Sequence, residues 1–196
     1  SDKALFLLRK MIVSKTEAER KIALSELFPY MKADIKGTLR VMKGFPVTIR
    51  LIDPPLHEFV PREEKQQASL SKSLKINLEE FQKRANLLHE NNPMMGHRGV
   101  RLGITYPEIT ETQVRAIFEA TAELLKEKIK VEPEIMIPVT CDVKELAHQT
   151  VIIKRVYEEV LKKFKIKKLN YLVGTMIEIP RACLTAGEMA KEAEFF

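Results

Sequence analysis

The sequence has only two cysteines, Cys141 and Cys183, so it carries no disulfide framework, and a reducing, cytoplasmic or organellar compartment is the expectation. No apolar run reaches the length needed to cross a bilayer. The opening residues Ser1-Asp2-Lys3-Ala4-Leu5 lack the basic-then-apolar layout of a secretory signal. There is no internal repeat or low-complexity stretch, and no phosphate-binding glycine loop, dinucleotide-binding glycine pattern or zinc signature. His57, His89 and His148 have no metal-ligand spacing among themselves, and the two cysteines read as small packing residues rather than nucleophiles.

What is present is an ordinary balance for a soluble domain, with 45% apolar and 31% charged residues over 196 positions. The net charge of +6 invites a nucleic-acid reading. The cations are spread among 27 acidic residues, however, and the one dense basic run, Lys162 to Lys168, falls at the end of an expected helix. Cations there complement the helix dipole. The run therefore reads as a solvated helix end, with a nucleic-acid or partner patch as the alternative.

Helical patterns alternate with short apolar runs, which predicts an α/β fold with parallel βαβ units and about four strands. Residues 3–13 read as helix. Ser14 with Glu17 reads as a capping box opening a helix that ends near Pro29, followed by a helical stretch to about Met42. Phe45–Ile52 reads as a buried strand, Arg101–Thr105 as a short strand, Ile135–Val139 as a strand and Leu169–Ile179 as the fourth. Between them the pattern predicts a helix near Asn77–Glu90 and one capped by Thr110 and Gln113 with a Val114, Ile117, Thr121, Leu124, Leu125 stripe. A further helix runs from an Asp142–Glu145 cap to Phe164, and a last one is capped by Thr185 and Glu188. Residues 53–100 form a longer excursion than a tight connection needs, which marks them as functional.

Three motifs sit at or just after the C-terminal ends of expected strands, where parallel α/β folds place their active sites. In Thr48-Ile49-Arg50-Leu51-Ile52-Asp53-Pro54-Pro55 a guanidinium inside an apolar run must meet an anion or water. Its planar fork suits phosphate or carboxylate, and a structural ion pair with Asp53 is the competing reading. In Asn92-Pro93-Met94-Met95-Gly96-His97-Arg98-Gly99-Val100-Arg101 the two glycines allow a tight turn around Arg98, either a second anion contact or a solvated surface turn. In Gly174-Thr175-Met176-Ile177-Glu178-Ile179-Pro180-Arg181 the glutamate closing an apolar run is a hard-oxygen ligand suited to Mg²⁺, or else a partner of Arg181.

Taken together, Pro46 to Phe59, Asn92 to Gly99 and Gly174 to Ala182 resemble the pyruvate, phosphate dikinase family in order and spacing, over the whole chain. The resemblance implies a partial (β/α)8 barrel that binds pyruvate or phosphoenolpyruvate, spanning residues 1–196 and cut at both ends. It implies that Arg50 and Arg98 bind substrate, that Asp53 supports Arg50, and that Glu178 binds Mg²⁺ and contacts substrate. It further implies a full-length, homodimeric enzyme in which a swivelling phosphohistidine domain shuttles a phosphoryl group from a distant ATP site. The net conversion is of ATP, phosphate and pyruvate to AMP, pyrophosphate and phosphoenolpyruvate. An Arg-Thr-Glu motif, an Asn-Asp pair with the second metal ligand, and the proton-donating cysteine of that family lie outside these residues, so the segment alone is expected to be inactive. Phosphoenolpyruvate synthase and enzyme I of the sugar phosphotransferase system share the barrel, but Asp53–His57 and Gly96–Arg98 fit the dikinase pattern better. A non-catalytic anion- or RNA-binding module is the alternative of a different class; the dikinase reading involves neither nucleic acid nor membrane.

Overall fold

The computed structural model describes residues 2–53, 56–61, 63–88 and 92–196. The expected break at Pro54-Pro55, His89, and the end of the helix expected to reach Glu90 lie outside the described residues. The chain forms two compact units, one of residues 1–27 and 54–98, the other of residues 28–53 and 99–196.

The first unit is helical. Helix α1 (Asp2–Ile12) buries Leu7, Met11 and Ile12 and packs near the 3₁₀ turn Leu56–Phe59, whose Phe59 carbonyl accepts from Arg9 Nε at 2.8 Å. The first turns of α2 (Glu17–Val41) follow. The cap of α2 is Thr16 with Glu19, two residues later than expected: Thr16 Oγ1 accepts from the Glu19 N–H, and the Glu19 carboxylate accepts from the N–H groups of Lys15 and Thr16. Ser14 instead closes α1, its hydroxyl donating to the Lys10 carbonyl. The excursion forms α3 (Glu64–Leu74) and α4 (Leu78–Leu87), with Asn77 capping α4 by accepting from Glu79 N–H.

Pro29 does not end α2, which continues to Val41. The ring removes one backbone donor, but the turns that follow are held by tertiary contacts. Leu39 is fully buried, Lys32 Nζ meets Glu123 at 2.8 Å, and Lys36 Nζ meets Glu123 at 2.6 Å and Glu127 at 3.0 Å.

The second unit is built on a parallel sheet of three strands in the order β1 (Pro46–Arg50), β2 (Glu132–Ile137), β3 (Leu172–Thr175). The short strand expected at Arg101–Thr105 is absent: residues 99–105 form helix α5 (Gly99–Thr105). Val100 and Leu102 are buried there, and Gly103 lies so close to α7 (Val143–Phe164) that an added Cβ would sit 2.7 Å from Gln149 Oε1. Packing at helical spacing thus overrides the β-like composition of Val-Arg-Leu-Gly-Ile-Thr. Helix α6 (Pro107–Lys126) starts three residues before the expected cap, with Pro107 in its first turn, where a missing N–H costs nothing. Its stripe of Val114, Ile117, Thr121 and Leu124 is buried. Helix α7 has the expected capping box, Asp142 Oδ1 accepting from Lys144 N–H and Glu145 accepting from Asp142 N–H, and it runs to Phe164.

Strand β1 is an edge strand, with Pro46, Thr48 and Arg50 exposed, rather than a buried one. In β2, Pro133, Ile135 and Ile137 are buried and Glu132, Glu134 and Met136 are half-buried. Alternate residues thus separate a helix-covered face from an opposite face. Phe118 of α6 lies at the centre of the covered side, edge-on to Tyr157 and Tyr171. After β3 come two short helices, α8 (Pro180–Leu184) and α9 (Ala186–Met189). The Thr185 side chain does not cap α9; its hydroxyl donates back to the Arg181 carbonyl. The closing residues are not helical: Phe195 forms a parallel bridge to Gly174, and Glu194 N–H donates to the Val173 carbonyl at 2.8 Å. The Glu194–Phe195 stretch thereby lines the β3 edge.

Candidate active site

Three residues singled out from sequence lie at or just past the C-terminal ends of the strands. Arg50 is the last residue of β1 and pairs in register with Met136 of β2. One guanidinium nitrogen of Arg50 lies 3.3 Å from Asp53 Oδ2 and 3.9 Å from Met176 Sδ. Asp53 is 4% exposed and Arg50 47%. A nearly buried carboxylate therefore anchors a half-exposed cation. The remaining N–H groups of Arg50 have no partner among the described residues, so the ion pair with Asp53 leaves the guanidinium able to take an anion.

Glu178 stands just past β3. Its Oε1 accepts a 2.8 Å hydrogen bond from the N–H of Val139, two residues beyond the end of β2. It does not pair with Arg181, which meets Asp142 Oδ2 at 2.9 Å. The second carboxylate oxygen of Glu178 is without a partner among the described residues, and the residue is exposed. Among the described residues no three metal-ligating side chains cluster. A single solvent-facing carboxylate oxygen still fits Mg²⁺, which keeps several waters and is held by one or two carboxylates together with substrate oxygens.

Arg98 belongs to the first unit and is half-buried, directly before Gly99. Gly99 itself takes a left-handed conformation, φ +54°, as the turn reading required. Sequence reasoning missed two polar groups here. Glu134 Oε2 accepts from Thr48 Oγ1 at 2.6 Å on the face of the sheet that carries Arg50. The alternation of Glu132, Glu134 and Met136 with Pro133, Ile135 and Ile137 was the signal that could have found it. The other is the Val139 amide, which carries no signature in a sequence.

The basic run at the end of α7 is partly engaged. Lys163 meets the buried Glu119 carboxylate at 2.6 Å, and Lys162 and Lys163 occupy the last helical turn. No helix among the described residues is long and apolar enough to cross a membrane.

A profile of the family described as PEP-utilising enzyme, PEP-binding domain, matches residues 3–196. The chain is 48% identical, over its whole length and 21% of the relative, to the chloroplastic pyruvate, phosphate dikinase of Mesembryanthemum crystallinum. It is 50% identical to the pyruvate, phosphate dikinase of Clostridium symbiosum, over 96% of this chain and 22% of the relative. It is 49% identical to pyruvate, phosphate dikinase 1, chloroplastic, of Arabidopsis thaliana, over 96% of this chain and 20% of that protein. The chain spans about a fifth of the length of the curated relatives it matches. It belongs to the PEP-binding domain family of PEP-utilising enzymes.

Proposed function

We infer that this chain acts as the phosphoenolpyruvate- and pyruvate-binding part of a pyruvate, phosphate dikinase. The observation that carries this reading is the strand-end group of Arg50, Asp53 and Glu178, within a chain whose relatives bear that name. Arg50 binds the carboxylate or phosphate of the substrate, and Asp53 fixes its orientation. Arg98 supplies a second anion contact. Glu178 offers one carboxylate oxygen to Mg²⁺, which when bound neutralises charge on substrate oxygens. The chain's own contribution to phosphoryl transfer is positioning and fixed charge, the terms that dominate such reactions. In this reading the rest of the reaction, with its phosphohistidine carrier and ATP site, falls to other segments of a homodimeric enzyme.

Calorimetric titration of the chain with phosphoenolpyruvate tests the binding assignment. Weak binding that needs Mg²⁺ and falls about tenfold or more in Arg50→Ala is expected, since a charge-assisted bidentate contact is lost. Binding indifferent to both Mg²⁺ and Arg50 would sink it.

A further inference from the structure

Val139 has φ +62°, a left-handed backbone that a β-branched residue very seldom adopts. The residue is buried, at 3% exposure, so the conformation is imposed by its surroundings. Four contacts impose it. The Pro138 carbonyl accepts from Val100 N–H at 3.0 Å. The Val139 side chain packs against Gly99, where an added Cβ would lie 2.7 Å from Val139 Cγ2, 2.8 Å from its Cβ and 2.9 Å from the Pro138 oxygen. On the other side Thr140 shares a 2.8 Å hydrogen bond with Thr175, whose hydroxyl lies 2.8 Å from the Ile137 carbonyl. The N–H groups of Cys141 and Asp142 then donate to Glu145. The left-handed turn aims the Val139 N–H at Glu178 Oε1.

We propose that Val139 is a positioning residue whose strained main chain, seated in the space left by Gly99, ties one oxygen of Glu178 and so presents the other alone to a divalent cation. A single presented oxygen suits a small octahedral cation that keeps its waters. This rests on the reading of Glu178 as a metal ligand. Gly99 thereby has a task distinct from the tight turn around Arg98 that its sequence motif suggests: it accommodates the Val139 side chain.

The test follows hydrogen exchange of the Val139 amide, read by nuclear magnetic resonance on the isotope-labelled chain at one fixed pH. In the unsubstituted chain that amide is protected by its bond to Glu178. Glu178→Ala, which removes the acceptor, and Gly99→Ala each speed its exchange about tenfold or more, the loss of one hydrogen bond, while the buried Ile153 in the middle of α7 keeps its protection and reports an intact fold. Val139→Gly, which keeps the N–H and accepts a positive φ, retains the protection. A Val139 amide that is unprotected in the unsubstituted chain, unchanged by Gly99→Ala, or unprotected in Val139→Gly overturns the proposal. A second arm places this chain in the corresponding segment of the Clostridium symbiosum enzyme. Gly99→Ala there raises the Mg²⁺ concentration needed for half-maximal pyruvate–phosphoenolpyruvate exchange about tenfold, the usual effect of removing a ligand's supporting hydrogen bond. If Glu178→Gln raises it and Gly99→Ala does not, the positioning role fails and the ligand reading stands. If neither does, the ligand reading fails, and the amide exchange alone decides whether Val139 holds Glu178.

Discussion

Replacing Phe118 by leucine should loosen the second unit and unmask one tyrosine. Phe118 is fully buried, its ring 4.9 Å from that of Tyr171 and 5.6 Å from that of Tyr157, both edge-on. Leucine fills the site with about three fewer carbons, worth about 0.8 kcal/mol each, and forfeits two aromatic pairs of about 0.5–1.5 kcal/mol each. The expected loss is about 3–5 kcal/mol, at the lower end if neighbouring side chains close the gap. A second readout separates this from general weakening. Burial first, then the neighbouring Tyr157 and the carboxylates Glu194 and Glu158, push the Tyr171 phenol up to about 12. With water admitted beside it, that phenol should titrate closer to the ordinary tyrosine value of about 10. The chain has four tyrosines and no tryptophan, and all four lie in the second unit, so tyrosinate absorbance reports on that unit alone. A denaturant-measured loss below about 1 kcal/mol, or a Tyr171 titration left in place, would refute the packing argument.

Asp142→Ala should cost about 1 kcal/mol, because the Lys144 N–H at the start of α7 loses its acceptor, whereas Asp142→Asn should stay within about 0.5 kcal/mol. Equal losses in urea unfolding would show that the exposed pair with Arg181, not the cap, carries the effect. The Glu123 carboxyl is pushed up by burial but more strongly down by hydrogen bonds from Lys32 and Lys36, and lies below its ordinary value of 4.5. Its stabilising effect is therefore present above pH 4.5 and lost as the pH falls through the depressed value; the two lysines, held above 10.5 by their bonds to Glu123, lose theirs on the alkaline side. Glu123→Gln should flatten both limbs of the stability profile, and a profile unchanged by that substitution would contradict the network.

Helices and their caps were legible where local chemistry decides them. Asp142 and Glu145 cap α7 as their spacing required, and the α6 stripe is the one that periodicity selects. The errors arose where tertiary contacts decide. Pro29 has the chemistry of a helix stop, but Lys32, Lys36 and Leu39 hold the turns beyond it to the second unit's core. Residues 101–105 look β-branched and apolar, yet Gly103 lets that segment lie helically against Gln149. Arg50, Asp53 and Glu178 could be found because each follows an apolar run that a parallel sheet must end on one side. The Val139 amide could not, since a main-chain conformation imposed by Gly99 and Thr140 leaves no mark in residue types. The (β/α)8 closure expected from the family resemblance is not seen among the described residues, whose sheet has three strands with Phe195 bridged to Gly174 at the β3 edge.

Arg50 offers the most direct test of the proposed function. With this chain in place of the corresponding segment of the Clostridium symbiosum enzyme, isotope exchange follows the pyruvate and ATP half-reactions separately. Arg50→Ala should slow pyruvate–phosphoenolpyruvate exchange about a hundredfold or more, the usual effect of losing a fixed donor to developing charge, and leave ATP-side exchange within about twofold. Undiminished pyruvate exchange, or equal loss of both exchanges, would contradict the role assigned to this arginine.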